Sequence, residues 1–206
     1  NLDLPNGFID QFEDQTNVDD DACVNEVYDA SGDYYKGNFP DWETGNRSAS
    51  ITVTTNVTLA TGTIGLLVDG VIGATNMYFA AASNVGKFIK FDFQSAKIIV
   101  DAGWIQNDPR EHGTWKWQGS TNDSTWVDLG SSFTLGTANN LVRQTFTAQL
   151  GSNTTAYRYY RLFGVSGNTS NAPWVYEAEF KVDHGYATDM TLISESETAA
   201  TAPEKA

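Results

Sequence analysis

The sequence predicts an all-β fold, an antiparallel β-sandwich or jelly roll, and three observations lead to that prediction. From residue 50 onward, short stretches alternate apolar and polar residues with a period of two, which is the pattern of strands with one buried face. Clusters of Gly, Asn, Ser and Asp separate the stretches, as turns require. Aromatic residues make up 13% of the chain, and they pack well in sheets. At 206 residues, the chain is long enough for one domain with a buried core.

Strands are predicted along most of the chain, after an acidic and aromatic opening segment. In that segment Val24, Val27 and Tyr28 stand at helical spacing and predict one short helix. The predicted strands are, in chain order, SITVTTNVTL, TIGLLV, NMYFAA, GKFIKFDF, AKIIVDAGWI, GTWKWQGS, LVRQTFTAQL, AYRYYRLFGV and WVYEAEFKV. After Val182 the sequence becomes small and polar. We therefore expect one domain over residues 1–183, and a linker or the start of a further element over residues 184–206.

Alternation within a strand predicts which side chains face the core. In GKFIKFDF, the side chains of Ile89, Phe91 and Phe93 point to one face, away from the charged residues between them. In WVYEAEFKV, the same rule groups Glu177 and Glu179 on one face. Because both side chains are acidic, we expect that face to lie on the outside of a sheet or at its edge.

Two tryptophans alternate in the stretch GTWKWQGS. Trp115 and Trp117 lie on one face of the predicted strand, and Lys116 lies on the other. Each buried indole removes ~150–250 Å² from water, and at roughly 25 cal/mol per Å² burial of both rings contributes several kcal/mol. A platform that stacks a ligand is the alternative. The sheet interior is favoured, because paired alternating aromatic residues generally face it.

The charge balance restricts the partners. Lys and Arg number 12 against 26 Asp and Glu, which gives a formal net charge of −14. Such a charge repels phosphate backbones and anionic lipid headgroups, so nucleic acid and membrane surfaces are poor partners. Cys23 is the single cysteine, so an intrachain disulfide is excluded, and no apolar run reaches the length of a membrane span. Neutral ligands and cations remain as possible binding partners.

Catalysis has little support in the sequence. The histidines are His112 and His184, and the motifs GxSxG, HExxH, GxGxxG and the P-loop do not occur. Some pair among the many carboxylates will always resemble a glycosidase pair, but the sequence does not give the separation on which that chemistry depends. We therefore expect a non-catalytic domain.

A loop with side chains suited to sugar recognition separates the strands KIIVDAGW and GTWKW. Carbohydrate binding needs an aromatic ring against the apolar face of the sugar and fixed polar groups for its hydroxyls. The candidate residues in and beside this loop are Trp104, Gln106, Asn107, Arg110 and His112, with Trp174 and Trp42 as further candidates. In the alternative interpretation, Trp104 caps the core and Arg110 pairs with a nearby acid.

An acidic run near the start of the chain is a candidate metal site. Asp19, Asp20 and Asp21 lie in a loop-like stretch, and carboxylate oxygens suit Ca²⁺. The spacing does not match an EF-hand loop, which requires a glycine and a glutamate at fixed positions. The alternative is a solvated loop that caps a helix.

Several stretches together resemble a known domain family. WKWQGSTNDSTWVDLG is similar to the signature stretch of discoidin-like domains, also called coagulation-factor C-type or galactose-binding-like domains, and AYRYYRLFGVSGN followed by WVYEAEFKV resembles their last two strands. The resemblance covers roughly residues 45–183. The chain departs from the family in the turn Asn122-Asp123-Ser124, where Asp-Gly is commoner. Asn and Asp also tolerate the backbone conformation that such turns need.

The resemblance implies a galactose-binding-like jelly roll whose ligands bind through loops at one end of the sandwich. It also implies a structural Ca²⁺ held by an N-terminal loop and by a glutamate of the last strand. In this chain those ligands would be Asp19 and Asp21 together with Glu177 or Glu179. A narrower resemblance, to discoidin-like segments of tailed-phage and prophage virion proteins, is carried by GFIDQFEDQTNVDDDACVNEVYDASGDYYKG, HGTWKWQGS, SSFTLG and YRYYRLFGVSGN.

We therefore expect a virion structural or adhesion module, in a tail fibre, baseplate or decoration protein, that binds host or environmental glycans. Its partners would be glycans and neighbouring virion subunits, in a homo-oligomeric assembly that multiplies weak contacts. Two alternatives stay open. One is a purely structural contact domain between virion subunits on the phage particle surface. The other is a carbohydrate-binding module of a secreted bacterial enzyme.

Overall fold

The computed structural model describes residues 26–28, 34–36, 41–73, 77–138 and 141–183, and it confirms the all-β prediction. Within these residues every pairing between strands is antiparallel. The elements are, in chain order, β1 (Glu26–Tyr28), β2 (Tyr34–Lys36), β3 (Asp41–Glu43), β4 (Thr52–Thr55), β5 (Leu59–Thr61), the 3₁₀ helix η1 (Ile64–Val68), β6 (Tyr78–Phe79), β7 (Ala82–Ser83), β8 (Phe88–Gln106), β9 (Thr114–Ser120), β10 (Val127–Thr134), β11 (Gln144–Thr145), the α-helix α1 (Thr147–Leu150), β12 (Tyr157–Ser166), β13 (Asn168–Thr169) and β14 (Val175–Asp183). None of the helices in this part of the chain is long and apolar enough to cross a membrane.

Two packed layers share one long strand, β8, which has 19 residues. The first half of β8 pairs with β12 on one side and β4 on the other, and the second half pairs with β14 and β11. The first layer therefore runs β10-β9-β12-β8-β4, and the second runs β11-β8-β14-β3. Short additional pairs join β1 to β2, β5 to β6 and β7 to β13.

The strand β8 bends where it passes from one layer to the other. Gln94 has a φ of 60° there, and the register of β12 against β8 shifts nearby. Just beyond the bend, the buried hydroxyl of Tyr160 donates to the carbonyl of Lys97 at 2.7 Å and accepts from the N–H of Ile99 at 3.2 Å. Sequence alternation predicted two separate strands in this stretch, because a bend within one strand breaks the period in the same way as a turn.

The core lies between the layers, and the two alternating tryptophans are part of it, as predicted. Trp115 is 0% exposed and Trp117 is 2% exposed. The ring of Trp117 lies 6.2 Å from that of Phe91 in the first layer and 6.3 Å from that of Phe180 in the second, and 5.7 Å from that of Phe146. One indole therefore contacts both layers and the segment that precedes α1.

Three predicted elements have a different secondary structure. TIGLLV forms the 3₁₀ helix η1, and LVRQTFTAQL forms the short β11 followed by α1, in which the buried Phe146 and Leu150 are four residues apart. Val27 and Tyr28, predicted to be helical, belong to β1. Short apolar runs suit a buried strand and a buried helical turn equally well, so alternation alone does not separate the two.

The prediction that Glu177 and Glu179 lie on an outer face or edge of the sheet is wrong, because both of these side chains of β14 are buried. Glu177 is 1% exposed and Glu179 is 6% exposed. Both faces of β14 are covered, since the core packs on one and the guanidinium groups of Arg47 and Arg143 form ion pairs with the two carboxylates on the other. The predicted linker over residues 184–206 lies outside the described residues.

Candidate functional site

The loop between β8 and β9 lies at the end of the sandwich where β14 begins. Val175, the first residue of β14, pairs with Gln106, the last residue of β8. Just beyond this pair, the N–H of Asn107 donates to the carbonyl of Trp174 at 3.1 Å, and the N–H of Trp174 donates to Oδ1 of Asn107 at 2.8 Å. Two of the predicted site residues, distant in sequence, are therefore held side by side.

An aromatic pair stands at the same end. A bridge between Met77 and Val175 places the start of β6 next to the start of β14. As a result, the rings of Tyr78 and Trp174 lie 4.8 Å apart, at an angle of 81°. Both side chains are half-buried, so part of each ring remains open to a ligand.

Arg110 completes this end of the sandwich. Its side chain is 60% exposed, and its Nε lies 3.4 Å from Oδ1 of Asp108, which is itself 37% exposed. An exposed ion pair of this length contributes little to stability. A ligand can therefore bind the guanidinium in place of Asp108 with little loss of free energy. We call Tyr78, Asn107, Arg110 and Trp174 the Trp174 rim.

The side chain of Gln106 fixes the loop that carries the rim. Its Nε2 donates to the carbonyls of Arg110 and Gly136, both at 3.1 Å, and also to that of Asp108. Its Oε1 accepts from Nε1 of Trp104 at 2.8 Å. One buried amide therefore ties the β8–β9 loop to the core and to the segment after β10, and the loop is held in one conformation.

Two predicted site residues, Trp104 and His112, lie inside the protein. Trp104 is 1% exposed, and its ring stacks on that of Phe79 at 6.2 Å. His112 is 0% exposed, its Nδ1 accepts from the N–H of Ser170 at 3.1 Å, and burial lowers its pKa to about 4. Neither side chain reaches the surface of the rim, because Trp104 lies on β8 within the core and His112 is enclosed between the loop and the segment of Ser170.

Trp42, the remaining aromatic candidate, does not belong to the rim. It lies on β3, opposite Lys181 of β14, roughly 20 Å along that strand from Val175. The guanidinium of Arg143 covers its ring, with 4.1 Å between Cζ and the ring centroid. A cation–π contact of this kind anchors the edge of the second layer.

Sequence reasoning missed Tyr78, the partner of Trp174. The only sequence indication is its position before Phe79, which is fully buried. Alternation then directs Tyr78 to the opposite, more exposed face. Its proximity to Trp174 depends on the pairing of distant segments, which a single sequence does not reveal.

Glu177, the predicted calcium ligand, binds Arg47 instead. The Glu177 carboxylate forms an ion pair with Nη2 of Arg47 and accepts at Oε1 from the N–H groups of Gly70 at 2.6 Å and Val71 at 3.2 Å. Burial is the largest influence on this carboxyl and raises its pKa, and the Arg47 charge opposes that rise. The other predicted ligands, Asp19 and Asp21, lie outside the described residues.

Arg47 uses all three guanidinium nitrogens. Nε donates to the carbonyl of Gly45 at 2.9 Å, and Nη1 donates to the carbonyls of Ala178 at 2.9 Å and Glu43 at 3.2 Å. We call these three carbonyl oxygens and the Glu177 carboxylate oxygen the Arg47 cage. Because the guanidinium fills it, the cage as built does not fit a metal ion. The described residues also contain no group of three or more His, Cys, Asp or Glu side chains suited to hold one.

Comparison with known proteins identifies the fold. No protein-family model and no curated protein sequence matches the chain. Among solved structures, the C-terminal domain of a chitobiase from Bacteroides fragilis is similar, with a TM-score of 0.52 and 14% identity over 69% of this chain and 97% of that one. The family 32 carbohydrate-binding module of NanJ from Clostridium perfringens, solved in complex with galactose, has a TM-score of 0.50 and 11% identity over 66% of this chain and 97% of that one.

A third similar structure contains a catalytic domain as well. Truncated AlyQ, which has a family 32 carbohydrate-binding module and alginate lyase domains, matches with a TM-score of 0.50 and 21% identity over 71% of this chain and 35% of that one. Each of these similarities covers about two thirds or more of this chain. This chain therefore has the galactose-binding-like (discoidin-like) β-sandwich fold that is also found in the family 32 carbohydrate-binding modules.

Proposed function

We propose that this domain is a non-catalytic carbohydrate-binding module and that the Trp174 rim contacts the glycan. The observation that carries the proposal is the half-exposed pair of Tyr78 and Trp174 at one end of the sandwich. An aromatic ring covers the apolar face of a sugar, and nearby polar groups bind its hydroxyls. The similarity to a module in complex with galactose supports a sugar as the ligand.

The polar members of the rim suit a neutral or acidic sugar. Asn107 is oriented by its hydrogen bond to the backbone of Trp174, and its side-chain amide can donate to a hydroxyl or accept from one. Arg110 presents five N–H donors, which bind hydroxyls singly or a carboxylate in pairs. Since Gln106 fixes the loop in advance, little conformational entropy is lost when the ligand binds.

We further propose that the parent protein is a secreted bacterial enzyme that acts on polysaccharides. The presence of alginate lyase domains beside the module in AlyQ supports this interpretation, as does the chitobiase domain. The virion module, with neighbouring subunits and a homo-oligomeric assembly, is the second interpretation, and it rests on the sequence resemblance to phage segments. The adjoining sequence distinguishes them, since a catalytic domain favours the enzyme and capsid or tail genes favour the virion.

The glycan proposal is tested by removing the exposed ring of the rim. On a glycan array probed with a multimerised domain, Trp174→Ala should weaken binding about tenfold or more, because about 1–2 kcal/mol of stacking is lost. Trp126→Ala is the matched control. That ring is also half-buried, but it stacks on Arg161 beside the start of β10, at the opposite end of the sandwich. Its removal should leave binding unchanged.

Two results would contradict the proposal. A wild-type domain that binds no glycan as a multimer would leave the structural-contact interpretation in its place. Equal loss of binding in the Trp174→Ala and Trp126→Ala variants would show that the sugar does not bind at the Trp174 rim. Circular dichroism melting of both variants checks that each one is folded.

A further inference from the structure

The oxygens of the Arg47 cage are the ligands that a hard metal cation takes. Ca²⁺ in proteins is bound by carboxylates and backbone carbonyls, and the cage offers one carboxylate and three carbonyls. An arginine frequently meets a carboxylate through two parallel hydrogen bonds. Here the guanidinium meets only one carboxylate oxygen, and its remaining bonds go to backbone oxygens that converge on a single positive charge.

The Arg47 cage connects three segments of the chain: β3 with the connection that follows it, β14, and the segment after η1. Glu43 and Gly45 belong to β3 and the connection that follows it, and Ala178 and Glu177 belong to β14. The second carboxylate oxygen of Glu177 accepts from the N–H groups of Gly70 and Val71, in the segment after η1. The charge of Arg47 is therefore at the centre of the contacts that hold the β3–β4 connection and the segment after η1 against β14.

We propose that the guanidinium of Arg47 takes the place of a bound metal cation at this position, so that the domain folds without calcium and loss of Arg47 exposes a latent cation site. The oxygens that would bind Ca²⁺ already accept hydrogen bonds from Arg47. A second cation beside it would be repelled by the positive charge of the guanidinium. Truncation of the side chain to a methyl group leaves the same oxygens around the space that the guanidinium filled.

The test measures thermal unfolding with and without calcium. The wild-type protein should have the same Tm in about 5 mM CaCl2 as in an equal concentration of EDTA. Calcium raises the Tm only if it binds the folded protein, and in the wild type Arg47 fills the site. Arg47→Ala should have a lower Tm, and about 10 mM CaCl2 should raise it by about 3–8 °C, as expected for a site with a Kd near that of weak extracellular calcium modules. Addition of EDTA should reverse the rise.

Two further variants control this experiment. In Arg47→Ala/Glu177→Gln the space remains but the carboxylate is gone, so calcium should no longer raise the Tm. In Arg158→Ala an exposed arginine that pairs with Asp92 is lost, and the Tm should be almost unchanged at any calcium concentration. A calcium-dependent Tm in the wild type would overturn the proposal. The proposal would also be overturned if calcium did not raise the Tm of Arg47→Ala, or if this variant stayed unfolded in the presence of calcium.

Discussion

The imidazole of His112 is enclosed on every side, and its protonation is therefore costly. Its Nδ1 accepts from the N–H of Ser170, so the neutral ring carries its proton on Nε2. That atom has no hydrogen-bond partner among the described residues, and the ring packs perpendicular to that of Phe79 with 4.9 Å between centroids. A second proton would place a charge among aromatic rings, which explains the low pKa.

Stability should consequently fall in mild acid. The pKa of His112 is about 4 in the folded protein against 6.5 for an unperturbed histidine. The unfolded chain therefore binds the proton first as the pH falls. The contribution of neutral His112 is complete above pH 6.5 and is lost between pH 6.5 and 4, which lowers the free energy of unfolding by up to about 3 kcal/mol. Urea unfolding at a series of pH values measures this slope.

His112→Asn isolates that effect from other titrating groups. The asparagine can keep an acceptor near the N–H of Ser170, but it does not ionise. The variant should be less stable at neutral pH, and its free energy of unfolding should change less between pH 6.5 and 4 than that of the wild type. Equal pH dependence in the two proteins would assign the slope to carboxylates and refute the role of His112.

The burial of some strand residues could be predicted from the sequence, whereas that of Glu177, Glu179 and the loop residue His112 could not. Alternation alone predicted that Trp115 and Trp117 face the core, because a strand has only two faces. Trp104 lies in a predicted strand, but the sequence left open whether its ring caps the core or faces a ligand. His112 stands among polar and charged residues, which suggested an exposed loop. The burial of both side chains depends on contacts with distant segments, such as the N–H of Ser170. Asn107 and Trp174, both predicted as site residues, are joined by hydrogen bonds, and Arg110 lies in the same loop as Asn107. Their role in binding remains a prediction.

At the scale of elements, β8 is the strand on which both layers depend. Tyr160 holds its bend through the carbonyl of Lys97 and the N–H of Ile99, and its hydroxyl also accepts from Nδ2 of Asn153 at 3.2 Å. The sequence predicted the strands on either side of this bend correctly. The bend itself was not predictable, since it depends on a hydroxyl from β12 and a positive φ at Gln94.

Removal of the Tyr160 hydroxyl should destabilise the domain without changing its fold. Tyr160→Phe removes the acceptor of the buried N–H of Ile99 and a donor to the carbonyl of Lys97, and loss of a partner for a buried polar group costs about 1–3 kcal/mol. We expect the free energy of unfolding to drop by about 2 kcal/mol or more in guanidinium chloride titrations. Tyr159→Phe, in the adjacent half-buried position on the outer face, should change it by less than about 0.5 kcal/mol. If Tyr160→Phe and Tyr159→Phe lowered the free energy of unfolding equally, the Tyr160 hydroxyl would not be what holds the bend of β8.

At the scale of the whole molecule, net charge governs which polymers the protein meets. The formal charge of −14 produces a field that repels polyanions over distances comparable to the Debye length. We expect the protein to pass through a heparin column without retention at about 50 mM salt. Retention that salt reverses would reveal a local cationic surface that overrides the net charge, and it would reopen sulfated glycans as ligands.

The fold could be predicted from the sequence, whereas the parent protein could not. Period-two alternation and turn residues are properties of every strand, so an all-β sandwich follows from local patterns. Whether such a domain serves an enzyme or a virion depends on the adjoining sequence, and the alternation that predicts the strands carries no information on that choice. The phage interpretation therefore remains a hypothesis about context, and the proposed glycan binding is compatible with either context.

The pairing of β3 with β14 has a consequence for how the domain is mounted. Asp41 lies opposite Val182, so the polypeptide enters and leaves the sandwich side by side. The Trp174 rim lies at the other end of β14, which has nine residues and spans roughly 25–30 Å. A domain attached through β3 or β14 at this end of the sandwich would leave the opposite end, with the Trp174 rim, facing outward. Either parent would thus present the same aromatic pair to the surface it approaches.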